Sequence, residues 1–276
     1  MLKTCYFFND VGHKGIPTLS TDMLVQVLSD CHLECYKKIL RIKSKCDVLI
    51  LAGDIGHIDK PIYEEFISYV AANWKYVVLV LGNHEFYSTK ESPDELLARY
   101  QELASRYSNV ELLERSVTYI GGYRVLGAVL WSHLQEGAES NCIKKITSGF
   151  EDGKRIKMGI DGMNALHKEA VEWLCETYDP SVPSIIVTHY PLTQHPDHTR
   201  QERHRGESLE RISEFANPLM VSPHAPLICI SGHTHQSHDF CENSVRYISN
   251  QYGYPGESKT RMTSCKIDCL FDLADE

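Results

Sequence analysis

Five apolar, strand-length runs in this chain each stop at a short cluster of Asp, Asn or His. Residues 24–28 lead into Ser29-Asp30-Cys31-His32, residues 48–52 into Gly53-Asp54, and residues 77–81 into Gly82-Asn83-His84-Glu85. Residues 184–188 lead into His189-Tyr190-Pro191, and residues 227–230 into Ser231-Gly232-His233-Thr234-His235. Runs this short and this continuously apolar suit strands buried on both faces. Helical patterns over residues 34–42, 61–73 and 93–107 separate the early runs, and Pro61 and Pro93 suit the first turn of a helix. Alternating strands and helices imply parallel βαβ units. In open sheets of that kind, ligands sit beyond the carboxyl ends of the strands. The five polar clusters are therefore expected to converge on one crevice.

The rest of the chain is less regular. Residues 1–22 read as an irregular N-terminal extension broken by Gly12, Gly15 and Pro17, ahead of a single domain over residues 23–276. Residues 117–120 and 124–130 flank Gly121-Gly122 as a hairpin. Residues 132–160 read as a long loop or lid, and residues 163–178 as an amphipathic helix. Residues 192–225 form a polar excursion with a helix near 208–215, and residues 245–249 and 266–271 are late strands. Trp74, Trp131 and Trp173 are read as core residues.

The clusters have the chemistry of metal ligands. On an extended segment Asp30 and His32 face the same way and can hold one ion. His233 and His235 share that spacing and could each reach one of two neighbouring ions. Asn83 and His84 are adjacent and point apart, so one can bind metal while the other faces substrate. Gly53, Gly82 and Gly232 sit beside ligand positions, where glycine allows close backbone approach. The donors mix carboxylate and amide oxygens with imidazole, and lack thiolate unless Cys31 joins. That set suits Mn, Fe or Zn better than calcium. A pair of ions roughly 3.5–4 Å apart can clamp the attacking and leaving oxygens of a phosphoryl transfer, and Asp54 is the natural bridging carboxylate.

Bulk properties narrow the partners. The chain has 276 residues and a net charge of −9, which disfavours a stable nucleic-acid partner that needs a basic face. No apolar stretch approaches the roughly 18–20 residues of a membrane span, and the start does not read as a signal peptide. A cytoplasmic protein is expected. The ten cysteines include no CxxC pair and are expected to be mostly free and buried, although Cys31/Cys35 and Cys265/Cys269 have a spacing that admits a structural zinc.

The set Asp30-x-His32, Gly53-Asp54, Gly82-Asn83-His84-Glu85, His189 and Gly232-His233-x-His235 resembles the calcineurin-like metallophosphoesterases, in order and spacing, over about residues 23–250. The resemblance implies an α/β fold, a two-sheet β-sandwich flanked by helices (αββα). It implies two divalent or mixed-valence transition-metal ions, Mn, Fe or Zn, with manganese favoured. Asp30, His32, Asp54 and His235 would bind one ion, and Asp54, Asn83, His189 and His233 the other. A metal-bridging hydroxide would attack phosphorus in line. His84 would steady the transition state and protonate the leaving oxygen, with Glu85 either orienting it or serving as a supporting residue.

Departures from the family refine the expectation. After Gly53-Asp54 the chain reads Ile55-Gly56-His57. It lacks the Asp-Arg-Gly of the protein Ser/Thr phosphatases and the Tyr of the purple acid phosphatases. His57 resembles the catalytic-side His of the break-repair nucleases, and reads either as a second catalytic residue or as a polar loop residue. The stretches 126–131 and 250–255 resemble small stand-alone bacterial and phage members. Asp10 and His13 are weak ligand candidates. Arg200, Arg203, His204, Arg205 and Arg211 form a run that is either a solvated, salt-bridged face or a loop that grips phosphate; His195 and His198 read as loop residues. The expected substrate is a small phosphorylated molecule, a monoester or diester, including a nucleotide or oligonucleotide. The alternatives are a metal-dependent nuclease and a non-catalytic interaction module on the same fold.

Overall fold

In the computed structural model, residues 24–88, 90–131, 159–192, 227–257 and 270–272 are described. Eleven strands among them form two sheets. The first has the order β11-β1-β2-β3-β4 and the second β5-β6-β7-β8-β10-β9. In the first sheet β1 (Leu24–Leu28), β2 (Val48–Ala52), β3 (Tyr76–Val80) and β4 (Val110–Leu112) are mutually parallel, and β11 (Leu270–Asp272) runs antiparallel to β1. In the second, β6 (Tyr123–Ala128), β7 (Ser184–Thr188), β8 (Leu227–Ile230) and β10 (Val245–Ser249) are parallel. Antiparallel β5 (Ser116–Ile120) and β9 (His238–Glu242) close its edges.

Strand periodicity explains the layers. Val25, Val27, Val48, Ile50, Val78 and Val80 of the first sheet pack against Val125, Ile185, Val187, Ile228, Ile230 and Ile248 of the second. The alternate residues Leu49, Leu51, Val77 and Leu79 turn the other way, onto Phe66 and Val70 of α1 (Pro61–Asn73) and Leu96 and Leu103 of α2 (Pro93–Ser105). On the far side Leu126, Ala128, Ile186 and Cys229 cover Ala170 and Leu174 of α3 (Gly159–Thr177). The result is the helix–sheet–sheet–helix sandwich, and the central strands are apolar throughout because both of their faces are buried. Pro61 and Pro93 do open their helices, and α2 adds a capping box between Ser92 and Glu95. Trp74 and Trp131 are buried, and Trp173 of α3 packs partly buried against the cluster that α3 forms with the second sheet.

Three differences from the sequence reading are informative. The helix expected over residues 34–42 does not form: a single 3-10 turn, Leu33–Cys35, gives way to extended backbone at Tyr36. Tertiary contacts override propensity there. Glu34 is drawn inward, the Tyr69 hydroxyl donates to the Ile42 carbonyl, and Arg41 lies over the Tyr69 ring at 5.4 Å. Strands β4 and β9 leave no signal in the sequence, because one is three residues long and the other is a largely solvated edge without an apolar run. Helix α3 starts four residues earlier than its apolar period suggests. Residues 132–158 of the lid expected over 132–160, residues 193–225 of the excursion expected over 192–225, the extension over 1–22, and with them Asp10, His13, His195, His198 and the Arg200–Arg211 run, lie outside the described residues, as do Cys265 and Cys269. No helix among the described residues is long and apolar enough to cross a membrane.

Candidate metal centre

Parallel pairing aligns the carboxyl ends of β1, β2 and β3 in one sheet and of β7 and β8 in the other, and contacts such as His233 N–H to Asp30 Oδ1 at 3.0 Å bring the two sets to one rim of the sandwich. They bring all seven expected ligands together in two clusters. The donor atoms of Asp30, His32 and His235 lie within 4.8 Å of one another, as do those of Asp54, His189 and His233. Asn83 joins the second cluster, its Oδ1 lying 3.0 Å from His189 Nε2 and 3.2 Å from His233 Nδ1. Asp54 Oδ2 reaches toward both, 3.3 Å from His189 Nε2 and 3.9 Å from His32 Nε2. His233 and His235, two residues apart, divide between the clusters.

The local backbone is bent rather than extended. Asp30, His32, Asp54, His233 and His235 all have positive φ, between 45° and 72°. Left-handed backbone at non-glycine residues costs roughly 1–2 kcal/mol each, and here it gathers at the donors. Asp30 and His32 therefore converge through a turn, not through strand alternation. Gly53 itself has φ +85°, and a Cβ there would lie 2.7 Å from His189 Cγ. Glu85 locks the turn: its buried carboxylate accepts the backbone N–H groups of Asp54, Ile55, Gly56 and Gly82 at 2.7–3.0 Å. Burial and the adjacent Asp54 charge push Glu85 up to about 8, against the pull of those amides. Glu85 thus braces the Asp54 loop and does not orient His84.

The donors fit cations. Carboxylates accept hydrogen bonds only, so the imidazoles facing them must donate. His32 Nδ1–H donates to Glu34 at 3.3 Å and His235 Nδ1–H to Glu257 at 2.7 Å. Their Nε2 lone pairs then face each other at 2.9 Å. His189 Nδ1–H donates to the Ala52 carbonyl at 3.0 Å, which aims its Nε2 lone pair at the oxygens of Asn83 and Asp54. Asn83 spends its own amide N–H on the Tyr87 hydroxyl at 2.9 Å, so its oxygen points inward. Acceptors facing acceptors in a buried pocket call for positive charge between them. Protons shared between these groups answer the same demand. Burial would raise Asp54, but the charges of His189, His84 and His32 hold it well below the usual carboxylate range. Burial would lower His189, but Asp54 outweighs it and raises it. Metal-ligating histidines are held in this manner, with the second ring nitrogen on a carboxylate or carbonyl.

His84 stands at the mouth. Its backbone N–H donates to Asp54 Oδ1 at 2.9 Å, its Nδ1–H to Glu34 at 3.0 Å, and its Nε2 lies 2.8 Å from the Tyr254 hydroxyl. Glu34 is the carboxylate that orients His84, and sequence spacing gives no sign of it because residues 34–42 carry a helical pattern. Burial tends to raise Glu34, yet its hydrogen bonds to His32 and His84 bring it down to about 2. Glu257 and Tyr254 escape a reading by motif as well, since no strand-end cluster marks them. His57 lies outside the ligand clusters of the described residues. Its Nε2–H donates to the Tyr87 carbonyl at 2.9 Å and its Nδ1 accepts the Asp59 N–H at 3.2 Å, so the loop engages both ring nitrogens. Cys31 is buried in the α1–α2 core layer and Cys35 is an exposed free thiol, so they do not form a site together.

Residues 23–237 match the family described as calcineurin-like phosphoesterase. The crystal structure of phosphopantetheinyl hydrolase (PptH) from Mycobacterium tuberculosis superposes with a TM-score of 0.67 at 19% identity, covering 93% of this chain and 97% of that one. The protein TT1561 of Thermus thermophilus superposes with a TM-score of 0.48 at 13% identity, covering 85% of this chain and 90% of that one. No curated protein matches the sequence.

Proposed function

Because the chain belongs to the calcineurin-like phosphoesterases, a family of metal-dependent phosphoesterases, we propose that it hydrolyses a phosphomonoester or phosphodiester of a small molecule at a dinuclear centre. Asp30, His32, Asp54 and His235 would hold one transition-metal ion, and Asp54, Asn83, His189 and His233 a second. The mixed oxygen and imidazole donor set suits manganese, iron or zinc, and manganese is the first candidate on the family resemblance. The observation that carries the reading is the inward-facing set of acceptors, with Asp54 Oδ2 between the two clusters. When bound, the ions supply Lewis acidity for the phosphoryl oxygens and a more acidic water for attack on phosphorus.

The chain's own residues do the rest. His84 presents Nε2 at the mouth, with Nδ1–H fixed on Glu34, and delivers a proton to the departing oxygen. Glu34 keeps the ring in that orientation and stabilises it when protonated. His57 takes a loop-holding role, as its ring contacts suggest. The same reading treats residues 23–276 as one catalytic domain, supported by β11 pairing back onto β1.

The test is metal content of the purified protein, then turnover of mono- and bis-nitrophenyl phosphate with added manganese. Asp54→Asn should lose metal. His84→Ala should keep metal and the fold and lose at least about 100-fold in turnover of an alkyl phosphate, whose leaving oxygen needs the proton, the scale of a general acid. Full activity in both variants would overturn the assignment. A metal-free, inactive wild type would favour the non-catalytic alternative, and cleavage of single-stranded DNA would favour the nuclease.

A further inference from the structure

A sixth strand end reaches the site. Strand β10 is inserted parallel beside β8, so its carboxyl end opens on the same rim as the five ligand-bearing strands. The chain beyond it, residues 250–257, lies outside the 23–237 span of the family match. It is nonetheless fastened to the ligand loop of β1. Ser29 N–H donates to Asn250 O at 3.0 Å, Tyr252 N–H to Ser29 O at 3.0 Å and Gly253 N–H to Asp30 O at 2.8 Å. The position of Gly253 requires glycine: φ is +86°, and a Cβ would lie 2.5 Å from Glu257 Oε2. That same Glu257 oxygen accepts the Tyr254 N–H at 2.9 Å and the His235 Nδ1–H at 2.7 Å. The backbone of Tyr254 is thus tied through one carboxylate to a metal-ligand candidate.

The side chain of Tyr254 lies over the centre. Its ring stacks on His32 at 4.0 Å between centroids and 22° between planes. Its hydroxyl sits 2.8 Å from His84 Nε2. Since Nδ1–H of His84 is committed to Glu34, Nε2 is the working nitrogen; Tyr254 is hydrogen-bonded to it, and Asp54 Oδ2 lies 4.0 Å away.

We propose that Tyr254 is a second catalytic residue, whose hydroxyl donates a hydrogen bond to the same leaving oxygen that His84 protonates. This rests on the phosphoesterase reading above. As the phosphorus–oxygen bond breaks, its electron pair passes to the leaving oxygen. His84 Nε2 gives up its proton to that oxygen, while Tyr254 keeps its proton and stabilises the developing charge. Water supplies the hydroxyl that joins phosphorus, and its remaining proton restores His84. With Nε2 protonated, the Tyr254 oxygen accepts its N–H at 2.8 Å, and an oxygen entering between the two groups can take a hydrogen bond from both.

Tyr254→Phe retains the ring on His32 and removes only the hydroxyl. Metal content should match wild type. Turnover of an alkyl phosphate, whose leaving oxygen carries full charge, should fall on the order of 10–100-fold, and turnover of nitrophenyl phosphate by less than about 3-fold. Inorganic phosphate, measured by calorimetry on the metal-loaded protein, should bind several-fold more weakly. Equal losses on both esters, or a loss of metal, would overturn the proposal and leave Tyr254 as a prop for His32. A metal-loaded wild type inactive on both esters would instead overturn the phosphoesterase reading itself.

Discussion

Replacing Gly82 with alanine tests whether Asp54 must sit where it does. The added Cβ would lie 2.5 Å from the backbone nitrogen of Asp54 and 2.9 Å from its Cγ. Ordinary carbon contacts are about 3.5–4.0 Å, so Asp54 must retreat by roughly 1 Å. A side-chain rotation cannot relieve the clash, because one of the atoms struck is backbone. That backbone is already held in a left-handed turn, φ 52°, by the N–H donated to Glu85 at 3.0 Å. The overpacking should cost about 1–3 kcal/mol of stability, read from the urea midpoint. A displacement of about 1 Å at a reacting centre costs on the order of 100-fold in turnover. Metal content should fall with it, since Asp54 faces both clusters. Gly256→Ala is the control. Gly256 also has positive φ, +81°, but a Cβ there meets nothing within 4 Å. It should lose roughly 1–2 kcal/mol to backbone strain, with metal content and turnover unchanged. A Gly82→Ala protein that keeps both metal content and wild-type turnover would refute the central place given to Asp54.

Two further outcomes follow from residues outside the ligand set. Glu34→Gln keeps the shape of the side chain but cannot present one charged oxygen to both His32 and His84, so kcat or metal affinity should drop about 10–100-fold, the usual scale for a group behind a ligand; unchanged values of both would remove Glu34 from the mechanism. Burial pushes the Cys229 thiol up to about 12, so roughly one molecule in ten thousand carries the thiolate at pH 8, and alkylation there, followed by peptide mapping, should track global unfolding. The sign of the linkage is fixed: from about pH 9 toward 12 the native state keeps a proton that the unfolded chain releases, so this thiol lowers stability by about 1.4 kcal/mol per pH unit as pH rises. Rapid alkylation of native Cys229 at pH 8 would contradict it.

The strand ends are legible in the sequence for a physical reason. Strands buried on both faces must be apolar without interruption, and a metal centre must place Asp, Asn and His where those runs stop. Both demands act within a few residues, so both can be read locally. The supporting residues answer to longer-range demands. Glu34 acts 50 positions away from the His84 it orients, and Glu257 22 positions from His235. Glu34 is hidden further by a helical pattern that its own inward turn abolishes. Glu85 is visible, but its partners are backbone amides, which no residue pattern encodes. His57 looks catalytic by position, yet the loop engages both of its ring nitrogens. Tyr254 is the clearest case. Its segment carries no ligand motif and lies past the family match, and only the parallel insertion of β10 beside β8 brings it to the rim. The ligand candidates are therefore marked by motif and the groups around them by topology. The part of the site that discriminates between substrates is then to be sought at the end of β10 as well as among the five clusters, because β10 brings to the rim groups that lie past the family match.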